Sequence, residues 1–114
     1  MKKYFAHIWL DDFRAPVIPD IYKETVAWVK DYASFVDQVV AFGEDISNCI
    51  IHFDHDLGED KDGYDCAKFL IQWCIDNEYP APDYDIQSAN PIGRENIDSL
   101  FKSYWKVYKK KSQT

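Results

Sequence analysis

The sequence predicts an α/β fold on a mostly parallel four-stranded sheet, and three observations predict it. Apolar runs alternate with stretches of helical periodicity in the order β, β, α, β, α, β, α, a pattern that right-handed crossovers turn into parallel sheets. Two of the runs, residues 5–10 and 49–51, are largely apolar, as central strands of such a sheet require. Both also run into acids: Asp11 and Asp12 after the first, Asp54 and Asp56 after the other. Open α/β sheets build their sites just beyond the carboxyl ends of their strands, so the acids are expected to converge there.

The elements follow in order. Strand one covers residues 4–10. Residues 13–24 hold Pro16, Pro19 and Asp20 with few periodic apolar positions, and read as a loop with at most one short turn. Residues 25–32 alternate Val26 and Trp28 with polar partners, which suggests an edge strand. Ser34, with Asp37 three residues on, opens a helix in a capping-box-like pattern. Phe35, Val36, Val39 and Val40 form its apolar face, and Gly43 can close it in the left-handed conformation. Strand three is residues 49–54, followed by an acidic loop through Gly63. A second helix runs roughly over residues 64–77, with Ala67, Leu70, Ile71 and Cys74 at helical spacing, and Pro80 and Pro82 end it. Residues 84–88 form strand four. Asn90 and Pro91 then supply an N-cap and a first-turn proline for the third helix, in which Ile97, Leu100, Phe101, Tyr104, Trp105 and Tyr108 recur every three or four residues. Lys106, Lys109, Lys110 and Lys111 fit a helix C-terminus facing its own dipole better than a nucleic-acid patch.

A chain of 114 residues suits one domain, residues 1–114, around one core. With 46% hydrophobic and 17% aromatic residues it falls outside the disordered class. It has no apolar run of about 18 residues for a membrane span, and no long apolar stretch follows its N-terminal lysines, as a signal peptide would need. Cys49, Cys66 and Cys74 show no paired spacing, which fits buried reduced thiols in a cytoplasmic protein and argues against a cysteine-ligated metal. A net charge of −7 argues against broad binding to duplex nucleic acid but leaves room for a small anionic phosphate ligand at a local site. The two arginines, Arg14 and Arg94, both stand in loops after strand patterns, and arginine suits bidentate phosphate recognition.

If strands one and three are parallel neighbours, Asp11, Asp12, Asp54 and Asp56 crowd together. Carboxylates in one place repel unless protonated or bound to a cation. Mg²⁺ or Mn²⁺ at Asp11, Asp12 and Asp54 is therefore expected, since hard divalent ions take oxygen ligands and keep positions open for phosphate oxygens. The plainer alternative is that single aspartates cap helices or face water. Asp54 and Asp56 also fit a nucleophile followed by an acid–base residue. His55 is the candidate proton donor to a leaving alkoxide, so Asp54, His55 and Asp56 form the catalytic set. His7 and His52 read as structural. Ser88, Asn90 and Arg94 lead from strand four into a helix N-terminus, where backbone N–H groups favour anions. With Arg14 they form the phosphate-binding set, against the alternative of an ordinary cap and a surface arginine.

These residues carry a resemblance. Leu10-Asp11-Asp12-Phe13-Arg14-Ala15-Pro16, Phe53-Asp54-His55-Asp56-Leu57-Gly58, Gly63-Tyr64-Asp65, and the stretch from Ser88-Ala89-Asn90-Pro91 to Asn96 resemble the successive motifs of the cyclic-phosphate processing receiver domain, a relative of two-component receivers. The resemblance implies a CheY-like, Rossmann-like three-layer sandwich with strand order 2-1-3-4. It places Asp11 and Asp12 at the receiver acidic pair, Asp54 at the phosphorylated position and Ser88 at the hydroxyl position after strand four. It implies action on cyclic phosphates such as nucleotide or RNA 2′,3′-cyclic ends. The chain departs from the pattern in three places. No fifth strand and no equivalent of the receiver lysine is evident, Gln87 stands where the family would place a histidine, and the first receiver helix is missing from 13–24.

The expected function is thus a metal-dependent phosphoesterase acting on a cyclic phosphate, with its metal neutralising phosphate charge and activating water. The alternative is a phospho-accepting or purely binding receiver module that switches partners. A phosphatase of the haloacid-dehalogenase type ranks last, because the chain lacks room for the usual cap and a clear later lysine.

Overall fold

The computed structural model of the chain describes residues 4–17, 25–87 and 90–112, the last six of these as backbone only. Its elements are β1 (Ala6–Leu10), β2 (Thr25–Val29), α1 (Tyr32–Phe42), a 3₁₀ segment (Gly43–Asn48), β3 (Ile50–Phe53), α2 (Gly63–Asn77), β4 (Asp83–Ile86) and α3 (Pro91–Ser112). The four strands form one sheet in the order β2-β1-β3-β4, and every neighbouring pair is parallel. Residues 11–17 contain no helix, in keeping with the loop expected after β1; the expected loop's remaining residues, 18–24, lie outside the described residues. No helix among the described residues is long and apolar enough to cross a membrane.

Strand pleating sorts β1 and β3 into two faces. Ala6, Ile8 and Leu10 with Ile51 and Phe53 enter one apolar cluster with residues of all three helices. Phe53 fixes the arrangement: its ring meets Phe35 of α1 and Phe101 of α3, so both helices cover the same face, and α2 packs between them. Full burial of such a phenylalanine contributes about 2–3 kcal/mol. Of the three layers expected, the sheet and this helical layer are built by described elements. On the opposite face, the loop after β1 meets the sheet where the Trp9 indole donates to the Arg14 carbonyl at 3.0 Å.

His7 and His52 also lie on that opposite face, their ring nitrogens 2.9 Å apart. Burial, and then the neighbouring His7, hold the His52 pKa below its usual value, against the pull of Asp85. Both histidines are part of the sheet, as expected.

Several boundaries differ from the sequence reading. β2 stops at Val29 because Asp31, not Ser34, caps α1: the Asp31 carboxylate accepts from the Ser34 N–H at 2.8 Å. Hydrogen bonding from the Ser34 side chain, and then from its backbone N–H, lowers the Asp31 pKa. Gly43 does end α1 with positive φ, but at φ 59°, ψ −133° it is outside the left-handed helical region and leads into the unexpected 3₁₀ segment. α2 begins with a reciprocal capping box between Asp62 and Asp65. It ends at Glu78 in the left-handed conformation, two residues before the first of the prolines expected to stop it. β4 covers Asp83–Ile86, and α3 carries all four C-terminal lysines within its backbone span.

Candidate functional site at the strand ends

The sheet register sets the site. The Asp11 N–H donates to the Val29 carbonyl, the Asp54 N–H to the Leu10 carbonyl and the Gln87 N–H to the Phe53 carbonyl. Residues just past β1, β3 and β4 are thereby stitched side by side. Carboxylate oxygens of Asp11, Asp12 and Asp54 lie within 4.8 Å of one another. Asp11 is buried, and its Oδ1 accepts from the Phe13 and Arg14 N–H groups at 2.9 and 2.7 Å. The Trp28 indole holds its carbonyl at 2.7 Å. Asp12 is exposed and Asp54 buried.

Burial pushes the Asp54 pKa up, Asp11 and Asp12 add to the rise, and Arg14 opposes it. The Arg14 guanidinium accounts for that opposition. Its Nε donates to Asp11 Oδ2 at 2.9 Å, and its Nη2 lies 3.7 Å from Asp54 Oδ1 and donates to the Gln87 carbonyl at 3.2 Å. One arginine thus spans the ends of three strands.

A second cluster centres on His55. Its Nδ1 lies 3.1 Å from Asp56 Oδ1 and 3.5 Å from Asn90 Nδ2, and its Nε2 lies 3.4 Å from Asp62 Oδ2. Asp62 is therefore both the α2 cap and a histidine partner. Two close approaches fix the cluster. A Cβ on Gly63 would stand 2.1 Å from the Asp54 carbonyl oxygen, and one on Gly93 would stand 2.4 Å from the His55 ring. The N-terminal turns of α2 and α3 are pressed against Asp54 and His55 in turn.

The structure brings Asp11, Asp12, Asp54 and Arg14 into one group, and His55, Asp56 and Asn90 into the adjoining one. Asp56 was expected in the acid group; it lies instead beside His55, its side chain exposed to solvent. Ser88 lies outside the described residues. Arg94 lines a groove between β4 and α3 with Tyr84, Asp85, Ile86, Pro91, Glu95 and Asp98, a lining that includes none of the three clustered acids. The Asn90 side chain caps α3, accepting from the Ile92 and Gly93 N–H groups at 3.1 Å each. Those two groups, expected to favour an anion, are thus already bonded. Sequence reasoning missed Asp62, whose signal was the Asp62-x-x-Asp65 spacing of a capping box, and the steric role of Gly63 and Gly93.

A parallel sheet in this order, with paired acids after β1 and a buried aspartate after β3, defines a receiver-like domain. The chain belongs to the cyclic-phosphate processing receiver domain family, whose sequence model matches residues 6–103. No curated protein and no solved structure matches the chain.

Proposed function

We propose that this domain is a phosphoesterase that uses Mg²⁺ or Mn²⁺ at Asp11, Asp12 and Asp54 to open a cyclic phosphate, such as a nucleotide or RNA 2′,3′-cyclic end, to a monoester. The observation that carries the reading is the convergence of those three carboxylates around a buried aspartate whose pKa is raised by burial and by its acidic neighbours. The donor set is all oxygen, which suits a hard divalent cation. Such a cation would supply charge neutralisation and a more acidic water.

The chain's own residues account for the rest. Asp54 takes a proton from the attacking water, a general-base role open to a carboxylate beside that water. The water oxygen bonds to phosphorus and one ring P–O bond breaks. His55, held between Asp56 and Asp62, gives a proton to the departing alkoxide. Arg14 meets the phosphate charge from the acid side, and the Asn90 amide beside His55 from the α3 side.

Phosphorus NMR of 2′,3′-cyclic mononucleotides and of short RNA with a cyclic end tests the reading. Monoester should appear only with Mg²⁺ or Mn²⁺, Asp54→Asn should abolish it, and His55→Ala should slow it by roughly 10²–10⁴-fold. No monoester from either substrate, or full activity in Asp54→Asn, overturns the proposal. A second reading, a phospho-accepting receiver module, is favoured by Asp54 alone, placed directly after β3 beside the paired acids; a stable acyl phosphate formed from a small phosphodonor would support it.

A further inference from the structure

The Arg14 guanidinium lies against two of the three clustered acids, Asp11 and Asp54. Its backbone is fixed at both ends of the residue: the N–H donates to Asp11 Oδ1 at 2.7 Å, and the carbonyl accepts from the Trp9 indole at 3.0 Å. Its side chain is 55% exposed, so the head can move while the pivot stays. Asp11 Oδ1 is already engaged by two backbone N–H groups. Oδ2 is the oxygen left for a cation, and it is the one that Arg14 Nε holds at 2.9 Å. The same guanidinium faces Asp54 Oδ1 at 3.7 Å. A divalent ion using Asp11 and Asp54 must therefore compete with Arg14 for both acids.

We propose that Arg14 is an internal stand-in for the cation, and that a phosphate group draws it off the acids, so that phosphate and metal bind cooperatively. This rests on the metal reading above and adds its regulation. Without phosphate, the arginine offsets part of the acid group's charge and weakens metal binding. With phosphate present, the guanidinium gains a bidentate anionic partner and releases Asp11 Oδ2. Linkage makes the effect reciprocal: metal raises phosphate affinity by the same factor.

The test is Mn²⁺ binding to the intact chain, followed by electron paramagnetic resonance, with and without inorganic phosphate. Arg14→Gln should bind Mn²⁺ about fivefold more tightly than wild type without phosphate, the scale of a partly exposed ion pair. Arg94→Gln removes the same charge away from the acids and should leave Mn²⁺ affinity unchanged. Phosphate should tighten Mn²⁺ binding in wild type by a larger factor than in Arg14→Gln. The chain has only two arginines, so their Nε–H resonances can be followed separately, and Mg²⁺ with phosphate should shift that of Arg14. Equal or weaker Mn²⁺ binding by Arg14→Gln, or an equal gain in Arg94→Gln, overturns the stand-in role while leaving the metal site intact. No Mn²⁺ binding by any of the three proteins overturns the metal reading and this inference with it.

Discussion

Replacing Gly63 by alanine adds one methyl group, and the surroundings decide the result. The new Cβ would stand 2.1 Å from the Asp54 carbonyl oxygen and 2.9 Å from both the Asp54 carbonyl carbon and the His55 Cα. All three are backbone atoms, so no side chain can swing aside. Reaching the 3.4 Å of ordinary contact from 2.1 Å takes a displacement of 1.3 Å. The Gly63 N–H is itself tied to the His55 carbonyl at 2.7 Å, which resists that movement. Overpacking of this kind costs about 1–3 kcal/mol, and alanine's better helix propensity returns at most about 1 kcal/mol, less at a helix's first position. The variant should melt about 5–10 °C below wild type. Because the displaced atoms belong to Asp54 and His55, Mn²⁺ affinity should fall as well. Calorimetric melting and a Mn²⁺ titration on the same preparation measure both. A variant with wild-type melting temperature and wild-type Mn²⁺ affinity would refute the claim that α2 is pressed against the site.

Other outcomes follow from single interactions. Asp54 is ionised at a cost, since its folded pKa is raised; that cost is present above the folded pKa and vanishes below the unfolded one. Asp54→Asn should therefore be more stable than wild type at pH 7 in urea denaturation, with the gain shrinking as pH falls towards 4. Glu78 ends α2 with φ 57°, and Glu78→Gly should raise stability by about 1 kcal/mol, read from the denaturation midpoint. Burial pushes the Cys49 and Cys74 thiols up to about 12 and Cys66 further still, so a thiol reagent at pH 8 should modify none of them until denaturant is added.

The sheet was legible because β1 and β3 are nearly uninterrupted apolar runs and each stops at acids; right-handed crossovers make such a sheet parallel, while the strand order was implied by the family resemblance. The acid pair and Asp54 were legible for the same reason: whatever follows two adjacent parallel strands must meet. The α1 cap was misread because Asp31 and Ser34 are both good caps, three residues apart, and one donates to the other; propensity alone cannot rank them. The 3₁₀ segment holds a single buried apolar residue, Ile46, too little for any periodic signal. Arg14 and Arg94 look alike in sequence, each just after a strand. Arg14 curls back onto Asp11 three residues earlier, whereas the phase of α3, set by the Asn90 cap, directs Arg94 along the β4–α3 groove. Asp56 alternates out of the acid group because the chain leaves the strand at Phe53.

Gly63 and Gly93 show why the missing part of the site could not be read from pattern. Each sits in the first turn of a helix, where neither turn geometry nor φ calls for glycine, and so each looks replaceable. What excludes a side chain is the partner: the Asp54 backbone at Gly63 and the His55 ring at Gly93. The two helices approach the strand end from α2 and α3 and leave His55 boxed between Asp62, Asn90 and Asp56. Folding and site geometry are thus one constraint on this side of the cluster, so damage there must appear in stability and in binding together. On the other side, Asp12 and Arg14 are exposed and carry little packing, so changes there should alter ligand binding while leaving the melting temperature nearly unchanged. The separation of those two behaviours along one strand end is the physical mark of a site whose His55 half is built into the core and whose acidic rim is left open to a ligand.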